Sequence, residues 1–421
     1  MAVPRRDPGA HSRLAVLTLA VVALAAFIRI LLWPTPGLTG DLDQFVLWVH
    51  GLATEPFGNA YDQNLSFPPV MAYIWGALAA IEPAFRTVTT SSDPAIRSIM
   101  KVPATVADLA LGLVIVWHLR ATPRWAIVGG AAVLLHPAVV DVSAWWGQYE
   151  SIYVLGGAVA YVLAVRGHSL WAAAALGVAL MTKPQALPFL VPFGAWFLAR
   201  EGWRGTARAA AVGVGVIMLL WLPFLSAGGI QGYARNLAEY QGDIFAVLSL
   251  RAWNLWWLVQ EAFAGGLFVS DQGALLGPLT FRQVGYGLAL LGELAVFAFV
   301  LRSPTPRTLA LGLAAAALVA FCLLTTMHER YAYGALVFLV LAFPEWRAAW
   351  LTVAFGVVFT LNLLAAVPPT EALGAALPVS GPLGVVGSVA MLLILGAVLA
   401  ILRTRPEPTT DCGDVPMQIV R

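Results

Sequence analysis

The chain has 421 residues, of which 60% are hydrophobic and only 11% charged, and its mean hydropathy is +0.81. A soluble domain carries about 25% charged residues, so this composition excludes a single water-soluble core and requires lipid to cover much of the surface. The formal net charge of +2 points to no nucleic-acid partner, and the two cysteines, Cys322 and Cys412, have neither disulfide-framework nor metal-ligand spacing.

Apolar runs long enough to cross a bilayer, or nearly so, fall at 14–33, 101–119, 124–140, 150–166, 169–183, 186–199, 207–224, 283–301, 307–326, 331–344, 347–367 and 383–402. The chain therefore reads as an all-α polytopic membrane protein of about 12 transmembrane helices. The first run follows Arg5, Arg6 and Arg13 and contains Ala23-Leu24-Ala25, which resembles a signal-peptide cleavage site. Its length is that of a full crossing, and it is expected to be retained as the first span. With residues 1–13 inside, the inner turns collect Arg5, Arg6, Arg13, Arg120, Arg124, Arg166, Arg200, Arg204, Arg208, Arg302, Arg307, Arg347, Arg403 and Arg405. That is the positive-inside pattern. It predicts a multi-pass protein of the cell membrane, a membrane domain over 14–403, a polar cytoplasmic tail over 404–421, and two long outer connections at 34–100 and 225–282.

In the first connection Leu42, Phe45, Val46, Val49 and Leu52 recur at helical spacing, predicting an interfacial helix with this face toward lipid or the bundle. Asp41 reads as its N-cap, with Gln44 completing a capping box. The same carboxylate, held at the membrane surface, has the chemistry of a general base. A second helix is expected to start at Pro68-Pro69.

Polar side chains then recur wherever the chain reaches the outer face. Trp145-Trp146-Gly147-Gln148-Tyr149-Glu150 joins the third and fourth spans; an aromatic belt explains the tryptophans but not Gln148 and Glu150. Lys183, one of only two lysines, sits in Thr182-Lys183-Pro184-Gln185 between two short runs, where it either snorkels to the surface or meets an anion. His328-Glu329-Arg330-Tyr331 places three polar side chains at the outer end of a span, either as a rim salt bridge or as part of a site. Asn254, Trp256 and Trp257 lie in the second connection, and Asp108, inside a span, must face the bundle or water. No Gly-rich phosphate loop follows a strand, and no internal repeat is present.

In this order the motifs resemble those of the GT-C glycosyltransferases. Gly40-Asp41-Leu42-Asp43 with Trp48 is similar to the Gly-Asp-x-Glu…Trp opening of their first luminal loop. Phe67-Pro68-Pro69-Val70-Met71-Ala72-Tyr73 looks like the Tyr-Pro-Pro-Leu-Thr-Ala-Tyr of the dolichyl-phosphate-glucose-dependent glucosyltransferases of N-glycan assembly. Gln148-Tyr149 matches the centre of their His-Phe-Gln-Tyr-Asn, Lys183 with Ala186-Leu187 their Lys-Gln-Met-Ala-Leu, and Trp253-Asn254-Leu255-Trp256 their Ala-Asn-Phe-Trp. His328-Glu329 matches His-Glu-Lys with Arg330 in place of lysine. The Trp-Gly-Gln and His-Glu-Arg-Tyr forms look more like bacterial polyprenyl-phosphate-sugar mannosyl- or glucosyltransferases. The chain departs from the pattern at Trp146-Gly147, Glu150 and Pro184, and the last spans carry no matching motif.

The resemblance implies a hexose donor on a polyprenyl phosphate, a lipid-linked or glycolipid acceptor, an extracytoplasmic site, and inverting displacement without a metal or other cofactor. It makes Asp41 the base and Lys183 and Arg330 the phosphate's cations. Asp43, Tyr61, Trp146, Gln148, Glu150, Gln185, Asn254, Trp256, His328 and Glu329 would line the substrates. Two other classes stay open: a lipid or sugar transporter, and an oligosaccharide polymerase or ligase using a lipid-diphosphate donor.

Overall fold

The computed structural model describes residues 8–243 and 245–404. Arg5, Arg6, Arg405 and the polar tail from residue 405 onward lie outside the described residues. The chain begins with α1 (Pro8–Leu32), α2 (Thr39–Thr54), α3 (Pro69–Ile81), α4 (Pro94–Leu119) and α5 (Pro123–Leu134). The short α6 (Pro137–Val140) runs into a π-helical turn, Asp141–Trp146, and is followed by α7 (Glu150–Val165), α8 (Ser169–Leu180) and α9 (Leu190–Trp221). Then come α10 (Gly229–Asp243), β1 (Ser249–Leu250), α11 (Leu255–Ala264), β2 (Ala274–Leu276), β3 (Leu279–Thr280), α12 (Phe281–Arg302) and α13 (Pro306–Leu323). The chain closes through β4 (Met327–His328), α14 (Tyr333–Leu341), α15 (Trp346–Ala366), α16 (Glu371–Ala376) and α17 (Pro382–Arg403).

Helix starts follow the local chemistry. Proline occupies the first turn of α3, α4, α5, α13 and α17, where its missing N–H costs nothing. Side-chain oxygens cap what remains: Asp93 takes the Ala95 N–H at 2.8 Å ahead of α4, and Thr280 and Thr305 build capping boxes ahead of α12 and α13.

Seven helices among the described residues are long and apolar enough to cross a membrane, or eight if α5 and the Pro137–Trp146 segment, bent by 46°, form one broken span. The expected twelve are not reached by this measure, for three physical reasons. The runs at 150–166 and 169–183 become α7 and α8, apolar but short. The runs at 186–199 and 207–224 merge into α9, whose 32 residues would reach about 48 Å if straight. Gly202 breaks it with φ 67° and ψ −177°, a conformation open essentially only to glycine. The two ends of α9 thereby meet again near the first long connection: Leu220 O accepts from Tyr73 OH, while the opposite end follows Lys183 through the 3-10 turn Pro184–Phe189.

The third reason is α14, from the run at 331–344. It is only nine residues long, and every one of them is buried. A helix apolar all round belongs inside the bundle, and α14 is its central element, with most of α13 equally enclosed beside it. Lipid-facing side chains lie instead on the outer helices, such as Val16 and Leu19 on α1, Leu291 on α12 and Leu393 on α17.

Neither long connection is irregular. The first folds into α2 and α3, and Leu42, Phe45, Val46 and Val49 are buried toward the bundle, where Phe45 packs on Trp48, Phe67, Trp75 and Tyr149. The second contains α10, α11 and the β2–β3 hairpin, and its β1 pairs in parallel with β4, Leu250 opposite His328.

Candidate active site

The expected capping box at the start of α2 does not form. Leu38 is the N-cap and makes no side-chain bond, while Asp41 lies inside the first turn. Its carboxylate reaches across to the turn after α6: Oδ2 accepts from Trp146 Nε1 at 3.1 Å and from Gln148 Nε2 at 2.5 Å. That turn is shaped by Gly147, at φ +91°, where an added Cβ would stand 2.7 Å from Leu42 Cδ2. A side chain there would be strained at this positive φ and would crowd the Leu42 and Lys101 side chains.

Lys101, on α4, locks the same junction. Its buried Nζ donates to Trp145 O at 2.7 Å, Thr35 O at 2.8 Å and Leu32 O at 3.3 Å, tying the α1–α2 connection to the tryptophan turn. The sequence reading gave Lys101 no role. Its rarity as one of two lysines was the available signal.

The cations come from two other directions. Lys183 does not snorkel: it is 4% exposed, and its Nζ donates to Glu150 Oε1 at the start of α7. The Phe67 and Tyr331 rings lie 5.5 Å from the same ammonium. Its backbone is set by the Pro68-Pro69 helix start, since Val70 N donates to Met181 O at 2.9 Å. Burial, with Arg330 adding, pulls the Lys183 ammonium below its ordinary pKa against the opposing pull of Glu150.

Arg330 reaches the same Glu150 oxygen, Nε to Oε1 at 3.3 Å. Its Nη1 donates to Glu329 Oε1 at 3.1 Å and to His328 Nδ1 at 3.2 Å, and the guanidinium sits 4.8 Å over the Trp146 ring. The Glu329–Arg330 pair is thus buried rather than on a rim. Burial alone would raise the Glu329 carboxyl, but the charge of Arg330 at 3.1 Å opposes it, and the group lies below the usual carboxylate range. Burial, then Arg330, lowers His328 and keeps it neutral. A neutral imidazole that accepts at Nδ1 carries its proton at Nε2.

The strand pair β1–β4 holds His328, and Asp271 clips the approach to it. Asp271 Oδ2 lies 2.7 Å from Arg282 Nε and accepts from Thr325 Oγ1 at 2.8 Å. Nothing in the local sequence marked Asp271, whose partners are 11 and 54 residues away.

The result is one continuous polar cluster. Trp146 is its hinge point, giving its indole N–H to Asp41 and its ring face to Arg330. Asp41, Trp146, Gln148, Glu150, Lys183, His328, Glu329 and Arg330 are all brought together. Gln148 Oε1, Glu150 Oε2 and His328 Nε2 are buried there with no hydrogen-bond partner. Gln185, two residues past Lys183, also has an unpartnered Oε1.

Four expected site residues have structural partners elsewhere. Asp43 Oδ1 takes both the N–H and the hydroxyl of Ser91 at 2.6 Å. Tyr61 donates to Phe67 O at 3.1 Å and stacks among Trp221, Phe224 and Tyr233. Asn254 is the N-cap of α11, accepting from Trp257 N and donating to Phe321 O, and Trp256 donates to Leu323 O at 2.8 Å. No protein-family model and no curated protein matches this chain.

Proposed function

We propose that the chain is a membrane hexosyltransferase that moves mannose or glucose from a polyprenyl-phosphate donor to an acceptor hydroxyl by inverting displacement. The supporting observation is that Trp146 spaces a carboxylate, Asp41, from a pair of buried cations, Lys183 and Arg330. The resemblance to the GT-C enzymes supplies the sugar chemistry, and the site is taken to face the extracytoplasmic side by the distribution of arginines.

Both bonds to Asp41 fall on Oδ2, so Oδ1 is the oxygen for an incoming proton. The acceptor hydroxyl gives its proton to Asp41 as its oxygen bonds to the anomeric carbon. The bond from that carbon to the phosphate oxygen breaks, and the electron pair leaves with polyprenyl phosphate. That phosphate gains one negative charge in the step, and Lys183 with Arg330 stabilise it. Arg330 brings a planar fork matched to two phosphate oxygens. The unpartnered Gln148 Oε1, Glu150 Oε2 and His328 Nε2 are available to sugar hydroxyls.

The charge balance favours a monophosphate over a diphosphate donor. The two cations are already shared with Glu150 and Glu329, so one phosphodiester is closer to what they can still compensate.

The test is transfer by purified protein, with labelled polyprenyl-phosphate mannose and glucose supplied separately. Asp41→Asn keeps the shape and removes the base, and transfer should fall by about 10²–10⁴-fold. Undiminished transfer in that variant ends the assignment of Asp41. Substrate flux into proteoliposomes without a glycosidic product would favour a transporter.

A further inference from the structure

The far end of the bundle carries a second feature that glycosyl transfer does not use. α4 runs from Lys101, beside the candidate site, to Arg120, about 28 Å further along at about 1.5 Å per residue. There a groove of about 660 Å³ between α1 and α4 is lined by Leu14, Leu19, Val22, Leu113 and Trp117, with Arg120 among its lining residues.

Trp117, which lines the groove, carries two cations on its indole. Arg166, at the end of α7, places its guanidinium 3.3 Å from the Trp117 ring centre, and Arg120 places its own at 5.1 Å. Neither guanidinium has a carboxylate partner among the ion pairs of the described residues. They are close enough for Arg120, after burial, to lower the pKa of Arg166. Two like charges held together with no carboxylate of the described residues on them leave a local excess of positive charge there.

We infer that this groove binds one anionic phospholipid, its phosphate on Arg120 and Arg166 beside Trp117 and an acyl chain between α1 and α4. The apolar lining, which extends from the rim toward the middle of the membrane, selects a lipid over free phosphate. The uncompensated pair selects an anionic headgroup over a choline headgroup, which would bring a cation of its own. The bound chain would also complete the packing of α1, only 11% of whose span is buried in the bundle.

The experiment uses the purified full chain in detergent, reading lipid retention by native mass spectrometry and unfolding temperature together. Phosphatidylglycerol, phosphatidylcholine and inorganic phosphate are added separately. One retained phosphatidylglycerol and a raised unfolding temperature are expected, with neither effect from the other two. Arg120→Gln/Arg166→Gln should weaken retention by about thirtyfold, from about 1 kcal/mol per arginine. It should leave the unfolding temperature without lipid unchanged. Val22→Trp, which fills the groove and keeps the arginines, should also abolish the response. Equal retention of phosphatidylcholine, a full response in either variant, or a shift by inorganic phosphate alone would overturn the inference.

Discussion

Among the described residues, two clusters bury both partners of an ion pair, and they differ in how their carboxylate oxygens are used. In mid-bundle Arg29 and Asp108, both 0% exposed, meet with Nε to Oδ2 at 2.9 Å. Ser143 donates to the same oxygen at 2.5 Å and Tyr333 to Oδ1 at 3.0 Å, while Arg29 Nη1 donates to Ala25 O and Leu134 O. Five elements, α1, α4, α5, the π-helical turn and α14, are joined there, and both carboxylate oxygens are occupied. Around Trp146, by contrast, two cations crowd one oxygen of Glu150 and leave the other empty, with Gln148 and His328 also presenting unused atoms. A group buried without a partner costs about 1–3 kcal/mol, so a protein that occupies both carboxylate oxygens in one cluster has a reason for leaving Glu150 Oε2 open in the other. The closed cluster reads as a fastener and the open one as a place for substrate.

The largest effect should come from opening the closed cluster. Asp108→Ala leaves the Arg29 guanidinium buried without its anion, which should lower stability by about 3–5 kcal/mol. Thermal unfolding in detergent measures this directly. Arg29→Met/Asp108→Leu removes both charges at similar volume and should recover most of the loss. Transfer per folded molecule should be retained in the double variant. A double variant that stayed stable but lost transfer would move this cluster from fastener to functional group.

The open cluster should respond the other way. Arg330→Lys keeps the positive charge beside Glu150 and Glu329 but replaces the planar fork with a point charge. Transfer from the polyprenyl-phosphate donor should fall by about 10²-fold, in line with the loss of one oriented donor to a developing anion. The unfolding temperature should move little. Unchanged donor kinetics would take Arg330 out of the phosphate site.

The open cluster was also the more legible in the sequence, for a physical reason. Its residues sit where apolar runs end, so Asp41, Gln148, Glu150, Lys183 and Arg330 stand out against their neighbours. The helix start at Pro69 and the buried face of Leu42, Phe45, Val46 and Val49 were equally readable, because both depend on local geometry. Partners were not readable. Asp108 had to face the bundle, but Arg29 lies 79 residues away and only packing brings it there. Lys101 and Asp271 escaped for the same reason. Asn254 was singled out by family likeness, whereas its place ahead of Leu255-Trp256-Trp257 is also that of an N-cap, and its bond to Trp257 N is that cap. Span counting failed at α14 because hydropathy cannot separate a helix bathed in lipid from one enclosed by other helices.

The finest separation between the two cations is their response to pH. Lys183 is pushed below its ordinary pKa of 10.5, first by burial, whereas Arg330 is pushed above its own because Glu329 and Glu150 outweigh the cost of burial. As pH rises, Lys183 therefore loses its proton first, at a pH below that of free lysine, while Arg330 keeps its charge. If both cations hold the donor phosphate, transfer should fall on the alkaline side through the pKa of Lys183, chiefly as a rise in KM for the donor. Lys183→Arg replaces the titrating cation with one that stays charged, so the alkaline limb should move to higher pH while the acid limb stays in place. An alkaline limb that does not move in this variant would mean that Lys183 only restrains Glu150, leaving Arg330 as the single cation for the phosphate.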